Sequence, residues 1–349
     1  MNGASNERPL RVLLVANDGL SAGHVARMIA IADALARVAR DRDVALRTVL
    51  ATTSQAHALL AGSGTVVVQL PAPAIARRAG FSDTERRRLV SGAIEGVARA
   101  LAPDLVVVDT FPLGPHRELA GIDLGYARRA LVRRHVPAEA QAEPMLADGL
   151  ELVDLAILAD DPTPIESSLA CRCVHVPPIT LERETLPRAE ARRALGLPSQ
   201  GRVLLVAAGG GGDEEATQRA QRIARAIEDA TVALALGPLA SAPPIADDRV
   251  IRIHAAPLSP YLPAFDGAVA PAGYNTAHEL ARAGVPSVLF AQARPYDDQA
   301  ARARRFGVEP LDDEALAPAI ASMRPLRAIP PSGARRAAEA LLDLATGRG

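Results

Sequence analysis

The stretch GAVAPAGYNTAHELARAGVPSVLF, residues 267–290, decides the fold. A short apolar run, Gly267 to Ala270, meets a glycine turn at Gly273. A helix-period run then leads to Gly284 and Pro286, and a second apolar run, Ser287 to Phe290, closes the unit. Short apolar runs bounded by glycine or proline read as strands, and the periodic segment between them reads as a helix. Strands alternating with helices imply a parallel sheet with crossover helices.

The same grammar extends outward. Val203 to Ala207 runs into Gly209, Gly210, Gly211 and Gly212 and then a helical stretch from Glu214 to Asp229, with further strands predicted at Thr231 to Leu236 and Val250 to Ile253. Earlier in the chain Val12 to Ala16 is followed by Gly19, Gly23 and the periodic set Val25, Met28, Ile29, Ile31, Ala32 and Leu35. Leu105 to Val108 and Leu152 to Leu158 read as strands, and Thr84 to Leu101 as a helix. Two strand-turn-helix openings give two Rossmann-like halves, the number expected for 349 residues at roughly 150 per domain. Pro177, Pro178, Pro187 and Pro198 interrupt regular structure, so the halves are expected to be 1–180 and 181–349. The final helical stretch, Gly333 to Leu344, can close either half.

Composition excludes several functions. The net charge is -1 with 23% charged residues, which leaves no basic footprint for nucleic acid. There is no lysine anywhere, so a Walker A phosphate loop, a pyridoxal Schiff base and a lysine aldolase are all excluded. Cys171 and Cys173 are the only cysteines, too few for a disulfide framework or a four-thiolate zinc site. A dinucleotide oxidoreductase would need a Gly-x-Gly-x-x-Gly turn after the first strand, and Asn17 to His24 does not supply one. Met1 to Leu10 is polar, and no apolar run reaches the roughly 18 residues that span a bilayer, so a cytoplasmic location is expected.

In open parallel sheets ligands lie beyond the carboxyl ends of strands, where helix N-termini hold anions. The loops after the strands are therefore the places to inspect. Thr276-x-x-Glu279 has two readings: a capping box that satisfies its own helix, or groups offered to a ligand. Gly209 to Gly212 is either an anion nest or a plain turn.

The segment from His254 to Arg302 resembles the donor-binding signature of UDP-sugar glycosyltransferases, including the plant secondary-metabolite enzymes and the peptidoglycan N-acetylglucosaminyltransferase. The likeness is carried by Gly273, Asn275, Glu279, Gly284, Pro286 and Gln299. It implies a GT-B fold, two Rossmann-like domains with parallel sheets facing across a cleft. It also implies that Asn275 and Thr276 bind the diphosphate, Glu279 the ribose diol, and Asp298 and Gln299 the sugar hydroxyls, with backbone groups near His254 and Ala255 reading the uracil. Pro271 stands where the plant enzymes carry histidine, so diphosphate binding has to lean on other groups, among them Gly209, Gly210 and Gly211.

Gly23-His24, the Asp109-Thr110-Phe111-Pro112-Leu113-Gly114 segment and the Gly273 turn together are similar to a bacterial group of predicted glycosyltransferases related to the peptidoglycan enzyme. This resemblance implies His24 as general base with Asp109 as its orienter, and Gly23, Glu118 and Arg134 on the acceptor side. A base of this kind takes the acceptor's proton as its oxygen attacks the anomeric carbon. The bland readings are a helix-start histidine and a strand-end aspartate. Arg77, Arg78, Phe81 and Arg86 to Arg88 form a basic segment that can meet anionic lipid or be a solvated helix face.

The expectation is an inverting glycosyltransferase that uses a UDP-hexose or UDP-N-acetylhexosamine as co-substrate and a small-molecule or lipid-linked acceptor, with no metal and no other cofactor. The alternatives are a nucleotide-sugar hydrolase of the same fold and a non-catalytic descendant.

Overall fold

A computed structural model describes residues 8–17, 22–159, 169–208, 213–237, 244–245, 247–294, 296–309 and 316–347. The chain divides into two compact units. One is Met1–Ile179 together with Ser332–Gly349, and the other is Thr180–Pro331.

The first unit is built on seven parallel strands: β1 (Leu10–Ala16), β2 (Leu46–Thr52), β3 (Val66–Gln69), β4 (Leu105–Asp109), β5 (Arg128–Arg134), β6 (Leu155–Ala159) and β7 (Arg172–Val176). Their order is β3-β2-β1-β4-β5-β6-β7. In β4 and β6 every residue is buried, because helices cover both faces of a parallel sheet and leave no polar side to the strand. The covering helices include α1 (Gly23–Asp41), α2 (His57–Ala61), α3 (Pro73–Arg78), α4 (Asp83–Leu101) and α5 (Pro144–Ala147). Leu13, Val15, Val106 and Val108 pack on Val90 and Ile94 of α4. Ser82 caps α4 in a full capping box: its hydroxyl accepts from Glu85 N–H at 3.2 Å, and its own N–H donates to Glu85 Oε2 at 2.8 Å.

The last helix of the chain, Ala334–Thr346, packs on α1 of this unit, where Arg42 meets Asp343 at 2.6 Å and Arg335 meets Asp41 at 3.0 Å. The second unit therefore ends at Pro331.

The second unit has six strands: β8 (Arg202–Ala207), β9 (Ala230–Ala235), β10 (Val250–Ile253), β11 (Gly267–Pro271), β12 (Pro286–Phe290) and β13 (Arg324–Pro325), in the order β10-β9-β8-β11-β12-β13. All pairs are parallel except the short edge strand β13, which runs antiparallel to β12. Its helices are α6 (Arg188–Ala194), α7 (Asp213–Ala226), α8 (Tyr274–Ala283), α9 (Gln299–Arg305) and α10 (Leu316–Ala321). One face of the sheet buries Ala268, Ala270 and Leu289 against Ala277 and Leu280 of α8. The other buries Leu204, Val206 and Val269 against Ala220 and Ile223 of α7.

The strand order reverses direction between β1 and β4 in the first sheet, and between β8 and β11 in the second. At such a switch point the two flanking helices lie on opposite faces and leave a crevice beyond the strand ends. His24, Asp109 and the Gly273 turn, which the sequence singles out, each lie at or just past the end of one of these four strands.

Candidate functional site

At the first switch point, Gly23 opens α1 and His24 follows it, while Asp109 is the last residue of β4. His24 Nδ1 lies 2.7 Å from Asp109 Oδ2. The histidine side chain is 19% exposed and the aspartate 0%, so a reactant can reach the ring but not the carboxylate. The pairing goes beyond a helix-start histidine and a strand-end cap, because the two side chains meet each other across the loop.

A third residue completes the group, and sequence reading missed it. Arg27, one helical turn after His24, donates Nε to Asp109 Oδ1 at 2.9 Å and Nη2 to Oδ2 at 2.8 Å. This is the two-pronged fit of a guanidinium to a carboxylate. Burial alone would push the Asp109 carboxyl up, but the Arg27 and His24 charges and hydrogen bonds outweigh it and hold the group down at about 2. As an ionised carboxylate Asp109 can only accept, so the proton between it and His24 sits on Nδ1. The i, i+3 spacing of His24 and Arg27 was the available signal.

The backbone at this corner is bent hard. Thr110 adopts φ +65°, a left-handed conformation that is rare for a β-branched residue, and Phe111 N–H turns back to Asp109 C=O at 2.7 Å. Such strain costs about 1–3 kcal/mol and persists where the surroundings fix it. Here Thr110 N–H is held by Val132 C=O at 2.8 Å, and its hydroxyl accepts from Arg27 at 3.4 Å.

Glu118 is fully buried. Its Oε2 accepts from His116 N–H at 2.8 Å, and its Oε1 faces Arg86 Nη2 at 3.4 Å. Gly114 must be glycine, because a Cβ there would stand 2.5 Å from the Glu118 carboxylate and its φ is +81°. Asn17, just past β1, is buried, and among the described residues neither end of its carboxamide is hydrogen-bonded, a feature with no sequence signal. Arg134 ends β5, half-buried, with Nη1 donating to His135 C=O at 3.3 Å.

Arg86 corrects the reading of the basic segment. It is 1% exposed and turned inward to Glu118, so it is not part of any surface patch. Arg77, Arg78, Arg87 and Arg88 stay exposed, beside exposed Ile75, Phe81 and Leu89.

At the second switch point, β11 ends at Pro271 and Gly273 is the N-cap of α8. No side chain caps this helix. Thr276 lies inside the first turn rather than at the cap, so the Thr276–Glu279 capping box does not form; among the described residues a full capping box forms at Ser82. Glu279 accepts no hydrogen bond from the described residues, and desolvation pushes its carboxyl up to about 7, with the Arg282 charge pulling weakly the other way. Asn275, four residues before it on the same helix face, has a buried Oδ1 without a hydrogen-bond partner among the described residues.

Two other expected donor residues are engaged in holding loops. Asp298 is the N-cap of α9 and accepts from Ala301 N–H at 2.8 Å. Gln299 is buried, with Oε1 accepting from Gln292 N–H at 3.1 Å and Nε2 donating to Asp297 at 3.2 Å. Arg302, also missed, braces the turn before α8 by donating to Ala272 C=O at 2.8 Å and pairing with Asp297 at 2.6 Å. His254 is exposed just past β10, with Ala255 half-buried beside it. Gly209, Gly210 and Gly211 lie outside the described residues.

No protein-family model matches the sequence, and neither does any curated protein. Solved structures do. The glycosyltransferase of kitacinnamycin is 17% identical with a TM-score of 0.59, over 98% of this chain and 96% of that one. The glycosyltransferase SnogD from Streptomyces nogalater is 16% identical with a TM-score of 0.59, over 97% and 95%. Spinosyn rhamnosyltransferase, solved with spinosyn aglycone and again with thymidine diphosphate, is 19% identical with a TM-score of 0.55, over 97% and 96%. These likenesses span nearly the whole chain and show its fold, the GT-B fold.

Proposed function

We propose that the chain is an inverting glycosyltransferase that moves a hexose or N-acetylhexosamine from a uridine diphosphate sugar to an acceptor hydroxyl. The observation that carries this reading is the first turn and a half of α8. An uncapped helix N-terminus offers N–H donors and the positive end of the helix dipole to a diphosphate, as the fold leads one to expect at a switch point. On the same face Asn275 and Glu279 hold polar groups that the described residues leave unsatisfied. A half-buried carboxylate without donors is costly, and a ribose diol supplies two. The diol favours a ribonucleotide over a deoxyribonucleotide, whose single ribose hydroxyl would leave Glu279 half satisfied. The nucleotide and aglycone bound to the spinosyn enzyme agree with a nucleotide-linked donor and a small-molecule acceptor.

The first unit supplies the base. With its proton on Nδ1, His24 carries a lone pair on Nε2, which accepts the acceptor's hydroxyl proton. The freed oxygen attacks the anomeric carbon, the bond to the diphosphate breaks, and that electron pair leaves with the nucleoside diphosphate. Attack from the face opposite the leaving group inverts the anomeric centre. Asp109 stays ionised throughout and steadies the imidazolium that forms. Helix N–H groups can carry the leaving charge, so a metal is not required by this scheme.

Exposed Ile75, Phe81 and Leu89 among four arginines support contact with an anionic membrane surface and a lipid-linked acceptor. Flotation with anionic and neutral vesicles tests this, and binding that ignores lipid charge would remove it. Among the described residues no helix is long and apolar enough to cross a membrane.

The test of the main reading is a thermal-shift series with UDP, GDP, dTDP, UDP-glucose and UDP-N-acetylglucosamine on the wild type and Glu279→Ala. A ligand at about 100 times its dissociation constant adds roughly 2.7 kcal/mol of stability. Uridine ligands should raise the midpoint in the wild type only. If no nucleotide raises it, the reading falls; if the sugar is released to water without any acceptor, the chain is a hydrolase.

A further inference from the structure

Six arginines are buried among the described residues. Five of them face a carboxylate: Arg27 meets Asp109 at 2.8 Å, Arg86 meets Glu118 at 3.4 Å, Arg192 meets Asp266 at 2.9 Å, Arg219 meets Glu215 at 3.0 Å and Arg302 meets Asp297 at 2.6 Å. Arg133 is the exception. It is 1% exposed, and among the described residues its hydrogen bonding is limited to Nη2 donating to the Leu146 carbonyl at 2.8 Å. Its Nε and Nη1 are buried without a partner there. Burial pushes the guanidinium down to about 10, with no carboxylate pulling the other way, so it still carries its charge at neutral pH. A buried cation without a counter-charge is strongly destabilising, which is why the other five are paired.

We propose that Arg133 anchors an anion subsite in the first unit, and that an oxyanion of the ligand, a carboxylate or a phosphate, supplies the missing counter-charge. The planar guanidinium matches these two groups by shape as well as by charge. Arg133 is the next-to-last residue of β5, at the carboxyl end of the sheet, where ligands of open parallel sheets lie. Val132, just before it, stands opposite Asp109 of β4, so Arg133 is directed to the other face of the sheet and is separate from the His24–Asp109 pair.

The connection from β5 to β6 carries Leu146 and covers the guanidinium. Two of its carboxylates are held by other arginines, Asp148 by Arg117 and Asp154 by Arg128, and none of the described ones acts on Arg133. The cover is made of one-turn pieces, Ala138–Ala140, Pro144–Ala147 and Leu150–Leu152. Between it and the sheet lies an apolar cavity of about 20 Å³ lined by Val106, Val108, Leu131, Gly149 and Leu152, so the cover is not close-packed on this face and can give way to a ligand. On the glycosyltransferase reading the anion belongs to the acceptor, which would then be an acid or a phosphorylated compound. The subsite itself does not depend on that reading.

Thermal unfolding of the full chain in phosphate, in acetate and in chloride, at matched pH and ionic strength, tests the proposal. Phosphate or acetate should raise the wild-type midpoint saturably above that in chloride, and Arg133→Met should lose this gain while keeping any shift that UDP produces. A gain in phosphate alone assigns a phosphorylated ligand, and a gain in acetate alone a carboxylic acid. The melting points in chloride read the charge directly. Arg133→Met removes an unbalanced cation and should lose less than Arg302→Met, which strands the Asp297 carboxylate. Arg133→Gln, which keeps a donor for the Leu146 carbonyl, takes its place if the methionine variant does not fold. No oxyanion gain in the wild type, a gain that persists without Arg133, or a loss in chloride as large as that of Arg302→Met overturns the proposal.

Discussion

Two carboxylates mark the two switch points, and their surroundings push them in opposite directions. Asp109 has every oxygen engaged, by Arg27 and His24, and is held down at about 2. Glu279 has no hydrogen-bond donor from the described protein and is pushed up to about 7. On the proposed function the first is machinery preorganised before any reactant arrives, and the second is a binding group still short of its partner.

The contrast can be broken most forcefully at Asp109. Replacing it by alanine leaves Arg27 buried without a counter-charge, which should cost about 3–5 kcal/mol in urea unfolding. Glu279→Ala has no such partner to strand and should be far milder; equal losses would abolish the distinction. Turnover follows the same division. His24→Ala should lower kcat by about 10²–10⁴-fold once an acceptor is known, the range for losing a general base. Glu279→Ala should act mainly through donor affinity.

The pH dependence of stability separates the two carboxylates further. The folded Asp109 carboxyl lies below its unfolded value of 3.8, so it contributes about 2 kcal/mol above pH 4, which is lost as the pH falls towards 2. Asp109→Asn should lose that acid-sensitive part. Glu279 has the opposite sign. Its folded value lies above the unfolded 4.5, so ionising it weakens the fold as the pH rises from about 4.5 to 7. Glu279→Gln should therefore raise the melting midpoint near pH 8 and leave it unchanged near pH 4. A midpoint gain of the same size at both values would show that packing, not charge, is responsible.

The two regions also differ in how far the sequence revealed them. Strands buried on both faces, such as Val12 to Ala16 and Leu105 to Val108, announce themselves as unbroken apolar runs. β5 reads RRALVRR and β2 reads LRTVLAT, and their polar ends hide them from the same rule. β13 is two residues long and has no periodicity to detect. His24 and Asp109 could be singled out because each follows a strand, but Arg27 falls inside a helix otherwise full of buried apolar residues and shows its role only in three dimensions. The Thr276–Glu279 ambiguity is of another kind. The same four residues write a capping box or a ligand site, and only the position of the helix start one turn earlier distinguishes them. Gln299 was legible as a polar residue at the right spacing, but its bonds to Gln292 and Asp297 depend on the loop's own path.

The most direct test of the account is proton release when a uridine diphosphate sugar binds, measured by calorimetry near pH 6.5 in buffers of different ionisation enthalpy. The diester diphosphate of such a ligand has no proton to lose near neutrality, so a released proton comes from the protein. If the ribose diol satisfies Glu279, binding converts a largely protonated carboxyl to carboxylate and releases a substantial fraction of one proton, and Glu279→Gln releases none. Binding without proton release, or release that persists in Glu279→Gln, would contradict the assignment of α8 as the donor site.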